Sequence, residues 1–542
     1  MIPETSPGMV PEEREKVVQA SRRGLAALLV LSAFVAFGVA LRLLHPDHAY
    51  FWLDEVWTAM HSTGHGLMDV VAFTEQTKLL MAGDFLPFLR HDEHAGFGNF
   101  IRTDPHTSPL YYTLCWGTIK MLGDHVLATR LLTAVIGCLA LGCVYLAARE
   151  VTGSRLGGGL ALILSSVSPV LVYWCYESRP YSLWLASIAL STYAFSSASS
   201  GTQRWKWWAY GSSGVLLVYS HLYGIFVLLA HAAYLVAGRA ARDVWWRFGK
   251  ALAAVALSAT PWCVAILSRL DAVHDLTEWQ SQPVPASESL SRLRAGLLSQ
   301  FGSTAALRHI PFGAAFLTLL AVAVPVAAFL QCRRELGSGV AAMLGVMSLS
   351  LPLVLAGVDA VAGGQRASIV RYYIASSFAV VLLVAWFGAS CWQRWRAGTA
   401  TWGARFGLAL TALLIGTSAC GAWTQFQARV PEGKPNAFVV DMAEAITRAP
   451  NPLVLSAGMV TTPLILANAL PSTTPVYSMR WHDVTAPSLA SMVREHSVFV
   501  LAPTPDIYEP RRQEAVHTIQ RLSTRFRLVP VAGACCMYQL TE

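Results

Sequence analysis

Residues 25–57 read LAALLVLSAFVAFGVALRLLHPDHAYFWLDEVW. The stretch from Leu25 to Leu44 is as long and as apolar as a membrane-spanning helix requires. Directly after it come two adjacent carboxylates, Asp54 and Glu55, inside a collar made by Tyr50, Phe51, Trp52 and Trp57. No small-residue cleavage site follows the apolar run, so it reads as a retained anchor rather than a signal peptide. Aromatic residues at this depth form the ordinary interface belt of a membrane protein. A pair of acids there needs a further reason, because charge beside a bilayer is costly unless it serves a site.

Ten more runs of this kind follow, near 126–147, 157–175, 181–199, 208–222, 223–238, 250–268, 311–331, 338–357, 373–391 and 405–423. Of the 542 residues 54% are apolar and only 13% are charged, about half the charge of a soluble domain. The expected fold is therefore an all-α polytopic membrane protein with about eleven transmembrane helices. The net charge of +8 comes from bases in short loops, among them Arg149 and Arg155, Arg204 and Lys206, Arg239 and Arg242, Arg333 and Arg334, and Arg394 and Arg396. Under strict alternation these fall on one side together with Arg14, Lys16, Arg22 and Arg23, and the positive-inside rule assigns that side to the cytoplasm. This placement accounts for the bases and speaks against nucleic-acid binding.

The opposite loops differ in kind. Segment 45–107 holds nine acids against three bases, and seven of the fifteen histidines. The chemistry is thus expected on the extracytoplasmic side of the cytoplasmic membrane. After Trp423 the pattern changes to short apolar strands (Leu453–Leu455, Val498–Leu501, Phe526–Val531) between helical stretches (Asp441–Arg448, Pro510–Arg521), the signature of a small α/β unit. The expected division is a cytoplasmic tail over 1–24, a membrane catalytic domain over 25–423 with outer loop 45–107, and an extracytoplasmic α/β domain over 424–542. The ten cysteines show neither a disulfide framework nor zinc spacing.

Four segments carry candidate chemistry. In the first, a partly desolvated Asp54 beside aromatic rings fits a general base, with Glu55 orienting it or the acceptor; the adjacent carboxylates also fit a divalent cation. In the second, Asp104-Pro105-His106-Thr107-Ser108-Pro109 opens a short apolar helix carrying Tyr111 and Tyr112, which puts Asp104 and His106 at its mouth. The third is Glu177-Ser178-Arg179-Pro180-Tyr181, where the donor fork of Arg179 suits a phosphate. The fourth is the basic pair Arg366 and Arg371, the latter followed by Tyr372. Basic groups at these positions run against the charge rule, which argues that they meet an anion. His221 lies at a turn on the same side, and His91-Asp92-Glu93-His94 has the look of a metal cluster but reads as a solvated loop.

Taken in order, these elements resemble the membrane-embedded GT-C glycosyltransferases, in particular family 39 and its bacterial relatives, which include protein O-mannosyltransferases and the lipid A aminoarabinose transferase. The resemblance rests on Asp54-Glu55, on Asp104-x-His106-x-x-Pro109-Leu110-Tyr111-Tyr112 followed by Ala128-x-Arg130-Leu131, on Glu177-x-Arg179-x-Tyr181-Ser182-Leu183, and on Arg371-Tyr372. The sequence departs from the pattern with His-Thr-Ser-Pro where relatives show His-Pro-Pro. The resemblance implies an inverting transfer of sugar from a polyprenyl-phosphate donor to a hydroxyl of a glycolipid, glycan or protein. Asp54 and Glu55 would be the catalytic pair. Asp104, His106, Tyr111, Glu177, Arg179, Tyr181, His221, Arg371 and Tyr372 would bind substrate. The competing classes are a lipid-linked glycan polymerase or ligase, a polytopic transporter, and a non-catalytic lipid-binding protein. A transporter is disfavoured by the absence of repeated halves and by ionisable groups that cluster at helix ends rather than mid-helix.

Overall fold

The computed structural model describes residues 11–44, 49–74, 78–90, 98, 101, 104–123, 126–399, 401–428, 438–479, 486–503 and 512–541. Each of the eleven apolar runs falls on a helix. Among the described residues, seven helices are long and apolar enough to cross a membrane: Gly24–Leu43, Val126–Thr152, Arg242–Leu267, Gly313–Glu335, Ser338–Ala362, Val370–Arg396 and Trp402–Gln427. The other four, Arg155–Val167, Tyr181–Ser200, Trp205–Ser220 and Gly224–Ala237, are shorter or more polar. The first helix begins at Pro11, so residues 11–24, expected as part of a tail, extend it.

One expected span is broken. The run over 157–175 divides into Arg155–Val167 and Pro169–Tyr173, because Pro169 has no N–H to continue the ladder. Arg42, buried at the end of the first helix, donates to the carbonyls of Ser165 (2.8 Å) and Ser166 (2.9 Å) freed there. A cation thus satisfies the acceptor end of a helix, where the backbone dipole favours positive charge.

The helices alternate in direction. Those beginning at Val126, Tyr181, Gly224, Gly313 and Ile374 run away from one end of the bundle and finish beside the basic loops. Those ending at Ser220, Leu267, Ala362 and Gln427 return to it. The helix Ile374–Arg396 occupies the middle, with 83% of its apolar window buried. Its Phe378, Leu382 and Ala385 pack in the same core as Trp184, Phe195 and Leu344 of its neighbours.

Above the non-basic end lies a six-stranded sheet, β1 (Lys78–Met81), β2 (Pro452–Ala457), β3 (Pro475–Met479), β4 (Ser497–Leu501), β5 (Arg527–Pro530) and β6 (Met537–Thr541), in the order β1-β3-β2-β4-β6-β5. The central strands β3, β2 and β4 are parallel and the remaining pairings antiparallel. Parallel strands are covered on both faces and need apolar residues on both. Val454, Phe499 and Leu501 accordingly pack under the helices Phe438–Arg448 and Thr461–Ala467. Leu453, Leu455, Val498 and Val500 turn to the opposite face, against Leu489 and Leu522.

The sheet is not built from the C-terminal chain alone. β1 belongs to the segment between the first two spans and pairs with β3, Lys78 opposite Ser478. The same segment shares a core with the C-terminal helices: Phe51, Trp52, Leu53, Val56, Val70 and Phe85 pack with Val439, Met442, Leu464 and Ile465. The α/β unit expected over 424–542 therefore also includes much of 49–90. This joining places the helix Leu53–Thr63, with Asp54 in its first turn, between sheet and bundle.

Candidate active site

Asp54, Thr58 and His61 lie on one face of Leu53–Thr63, as their spacing of four and three residues requires. Thr58 donates to the Asp54 carbonyl at 3.1 Å. The Asp54 carboxylate meets two guanidinium groups at its Oδ2: Nη1 of Arg371 at 3.1 Å and Nε of Arg179 at 3.7 Å. These arginines come from opposite parts of the chain, one before the helix Tyr181–Ser200 and one before Ile374–Arg396.

The two are held differently. Arg179 also donates to the Asp54 carbonyl (3.3 Å), to Thr58 (3.4 Å) and to the Tyr112 hydroxyl (3.1 Å). Arg371 has the Asp54 carboxylate, the Tyr372 hydroxyl and two rings, Trp279 at 5.3 Å and Tyr372 at 6.0 Å. Trp279 is itself fixed, because the Gln365 amide donates to its carbonyl at 3.0 Å and Arg292 donates to Gln365 at 2.5 Å. Gly364 precedes this latch with φ of +123°, and a Cβ there would stand 2.5 Å from the Gln280 carbonyl. Glycine is thus required where the two segments meet.

Glu55 sits about 100° further round the helix and faces away. It is fully buried and holds Arg130 by both oxygens, each at 2.7 Å. Arg130 also donates to the carbonyls of Ala49 (2.7 Å) and Tyr50 (3.2 Å), while Glu55 accepts the Ser178 N–H at 3.0 Å. One buried pair therefore fixes the residues next to Asp54 and next to Arg179.

Asp104 and His106 form a second pair, 2.7 Å apart, with the His61 Nδ1 3.5 Å from the other Asp104 oxygen. Their turn is anchored by the Trp262 indole donating to the Pro105 carbonyl (2.8 Å) and by Ser108 donating to Tyr219 (2.6 Å). Burial works against the charge of both partners, but each stabilises the other. His106 consequently lies above the usual 6.5, and Asp104 below its usual 3.8. His221 is different. Burial, then the nearby Arg179, His106 and Arg371, push it down to about 3, so it is neutral. Its Nδ1 accepts the Tyr223 N–H at 3.2 Å, which leaves the ring proton on Nε2, and the ring stacks on Trp184 at 4.0 Å.

These groups line one cavity of about 750 Å3 at the non-basic end of the bundle. Of the residues singled out from sequence, Asp54, Asp104, His106, Arg179, Tyr181, His221, Arg371 and Tyr372 line it. Glu55, Tyr111 and Glu177 do not. The Glu55 carboxylate is spent on Arg130, Tyr111 bonds Thr133 at 2.6 Å inside the bundle, and Glu177 accepts the Tyr173 hydroxyl at 2.6 Å. All three shape the wall from behind, which corrects the expectation of direct contact. Arg366, the other basic candidate, is tied to Asp359 (3.0 Å) and Ser281 (2.6 Å). The Asp54–Glu55 pair offers the cavity one carboxylate, so it does not fit a shared divalent cation, and among the described residues no group of three His, Cys, Asp or Glu could hold a metal ion. His91-Asp92-Glu93-His94 lies outside the described residues. The sequence reading quoted Tyr112 without giving it a role, and it missed Trp279, Arg292 and the role of His61; of these three only His61 left a signal, its seven-residue spacing from Asp54.

Residues 106–265 match the family model described as dolichyl-phosphate-mannose-protein mannosyltransferase. This bears out the GT-C resemblance over a stretch that holds His106, Arg130, Arg179 and His221. Among solved structures, the chain is similar to an oligosaccharyltransferase from Archaeoglobus fulgidus in its apo form (13% identity, TM-score 0.47, 83% of this chain and 64% of that one). It is also similar to AglB of the same organism, solved with an inhibitory peptide and a dolichol-phosphate (14%, TM-score 0.49, 88% and 69%). A third similar structure is ArnT from Cupriavidus metallidurans bound to undecaprenyl phosphate (13%, TM-score 0.48, 94% and 97%). The chain thus spans less than two thirds of the first of these proteins. No curated protein matches the sequence.

Two predictions follow from this geometry. Arg130→Met leaves the Glu55 charge buried and is expected to cost about 3–5 kcal/mol, read as a lower unfolding temperature of the purified chain; adding Glu55→Gln should restore part of it, and an unchanged temperature for the single variant would refute the clamp. The Asp104–His106 pair should stabilise most between pH 3.8 and 6.5, the ordinary values of its partners. Its contribution is lost as pH rises through the raised His106 pKa, and lost again as pH falls through the lowered Asp104 pKa. The stability gap between wild type and His106→Asn should therefore shrink on going from pH 6 to alkaline pH; a gap that widens contradicts it.

Proposed function

We propose that the protein transfers a sugar, with inversion, from a polyprenyl-phosphate donor to an acceptor hydroxyl. The observation that carries this reading is the convergence of Arg179 and Arg371 on the Asp54 carboxylate within one aromatic-lined cavity at a helix-bundle end. Two guanidinium groups suit the phosphate of a lipid whose chain stays in the bilayer. A carboxylate between them suits the proton of an attacking hydroxyl. The family model over residues 106–265 names a lipid-phosphate sugar donor for its members, which supports the same substrate class.

In this mechanism the acceptor oxygen attacks the anomeric carbon opposite the phosphate while Asp54 takes its proton. The bond between anomeric carbon and phosphate oxygen breaks with its electron pair going to the phosphate. Polyprenyl phosphate leaves as a monoester whose added charge is met by Arg179 and Arg371, donors already in place and partly shielded from water. A phosphate needs no general acid to depart. Trp57, Trp174, Tyr181 and Tyr223, which line the cavity, offer the apolar ring faces on which pyranose C–H groups pack. His106, held by Asp104, and the Nε2–H of His221 supply polar contacts for sugar hydroxyls.

The site is assigned to the extracytoplasmic side of the cytoplasmic membrane, because the short basic loops lie at the far end of the alternating helices, the Arg366–Arg371 loop being the exception at the cavity. The acceptor is a glycolipid, a glycan or a protein.

Release of polyprenyl phosphate from a panel of polyprenyl-phosphate sugars, with extracted acceptors, tests the reaction. Asp54→Asn should abolish release, and Arg179→Lys should slow it by roughly 100-fold or more, as removal of one donor to a developing oxyanion does; full activity in Asp54→Asn would remove Asp54 as the base. For sidedness, Ser523→Cys in a cysteine-free chain should react with an impermeant thiol reagent in intact cells. Ser200→Cys should react only after permeabilisation. The reverse pattern would invert the topology.

A further inference from the structure

The Asp54 carboxylate stands where an incoming phosphate would have to stand. Its Oδ2 takes the Nη1 of Arg371 and faces the Nε of Arg179. A carboxylate and a phosphate oxygen compete for the same N–H donors with the same geometry. The two arginines are not equivalent in this competition. Arg179 keeps Thr58, Tyr112 and the Asp54 carbonyl whatever happens to the carboxylate. For Arg371, the Asp54 carboxylate is the charged partner, and the remaining support comes from the Tyr372 hydroxyl and from the rings of Trp279 and Tyr372. A guanidinium resting on ring faces can turn in its plane without losing them.

Resting on the reading above, we infer that Asp54 is an internal occupant of the donor's phosphate site: Arg371 exchanges the Asp54 carboxylate for the phosphate when donor binds, and returns to it when polyprenyl phosphate leaves. The exchange gives Asp54 two roles in one cycle. In the free protein its carboxylate faces both arginines. Donor binding draws Arg371 to the phosphate, so the carboxylate is released to meet the acceptor hydroxyl only when a donor is present to react with. After transfer Asp54 carries the acceptor's proton and no longer competes. Loss of that proton to water restores its charge, and the carboxylate then displaces the product phosphate from Arg371. No oxidant or further reactant is needed, and the only bonds made and broken are those of the transfer and the proton's passage from acceptor hydroxyl to Asp54 to solvent.

The consequence is opposite to that expected of an ordinary catalytic substitution. If Asp54 holds the arginine pair for most of the time, the apparent affinity for phosphate is reduced by the fraction of time the pair is available. Asp54→Asn removes the competitor, so the variant that cannot transfer sugar should bind polyprenyl phosphate tighter than wild type, by roughly tenfold for an availability near one tenth.

The experiment measures binding of a long-chain polyprenyl phosphate to the purified full chain in nanodiscs, with the uncharged polyprenol as the measure of tail binding. Wild type, Asp54→Asn, Arg371→Ala, the double variant and Asp104→Asn are compared, with Asp54→Ser replacing Asp54→Asn if the latter does not fold. The inference predicts tighter phosphate binding in Asp54→Asn, weaker binding in Arg371→Ala, and a smaller gain from Asp54→Asn once Arg371 is absent. Asp104→Asn, which removes a carboxylate of the same cavity that does not bind Arg371, should gain little. Equal gains in the two Asn variants would mean a general charge effect and would overturn the exchange. Unchanged or weaker binding in Asp54→Asn, with Arg371→Ala still weakened, would overturn the exchange and leave the phosphate site standing. If neither Asp54→Asn nor Arg371→Ala alters binding, the phosphate is not held here and the proposed function fails with it.

Discussion

A single buried ion pair organises the cavity. Glu55 and Arg130 are almost wholly withdrawn from water and bonded through two parallel N–H···O contacts. Such a pair is tolerable in a low-dielectric interior only when its remaining donors and acceptors are also met. Here they are met by the segments that flank the cavity: the carbonyls of Ala49 and Tyr50 on one side and the N–H of Ser178 on the other. The neighbouring residues, Asp54 and Arg179, are thereby set against each other by a clamp that never enters the cavity. The acid that looked catalytic because it adjoins Asp54 is the one that holds Asp54 and Arg179 in place.

Around this clamp the architecture divides the labour by end. The helices alternate, so the short basic loops gather at one end of the bundle and the cavity opens at the other. A sheet drawn from two distant parts of the chain closes the cavity end. Because β1 and the core of Phe51, Trp52 and Val56 bind the C-terminal helices, the α/β unit braces the helix bearing Asp54. On the far wall, the Gln365 latch holds Trp279 under Arg371. Asp54 and Arg371 are therefore positioned by separate supports, one from the sheet side and one from the loop between the last spans.

Much of this was legible in the sequence, and the limits have physical causes. Continuous apolarity announces a span but not its interruption, so the break at Pro169 passed unseen within an apolar run, and the role of Arg42 in filling it was hidden with it. The strands β2 and β4 showed themselves because parallel strands are apolar on both faces. Four-residue β1 did not, since its partner lies some four hundred positions away and its own pattern, Lys-Leu-Leu-Met, carries no alternation. The candidate acids, bases and histidines were found because charge at a membrane surface is rare enough to stand out, and six of those eight line the cavity. Sequence could not tell which of two adjacent carboxylates faces inward. That depends on helix phase and on Arg130, seventy-five residues further on. Trp279 was invisible for the opposite reason, as aromatic residues are ordinary in this setting, and Tyr112 was quoted without a role for the same reason.

The account depends on where the phosphate binds, and a structure of the full chain with polyprenyl phosphate would show it directly. The account predicts the phosphorus between Arg179 and Arg371, with Arg371 turned from the Asp54 carboxylate and the Glu55–Arg130 pair unmoved. A phosphate seated elsewhere, or one bound while Arg371 still holds Asp54, would contradict it.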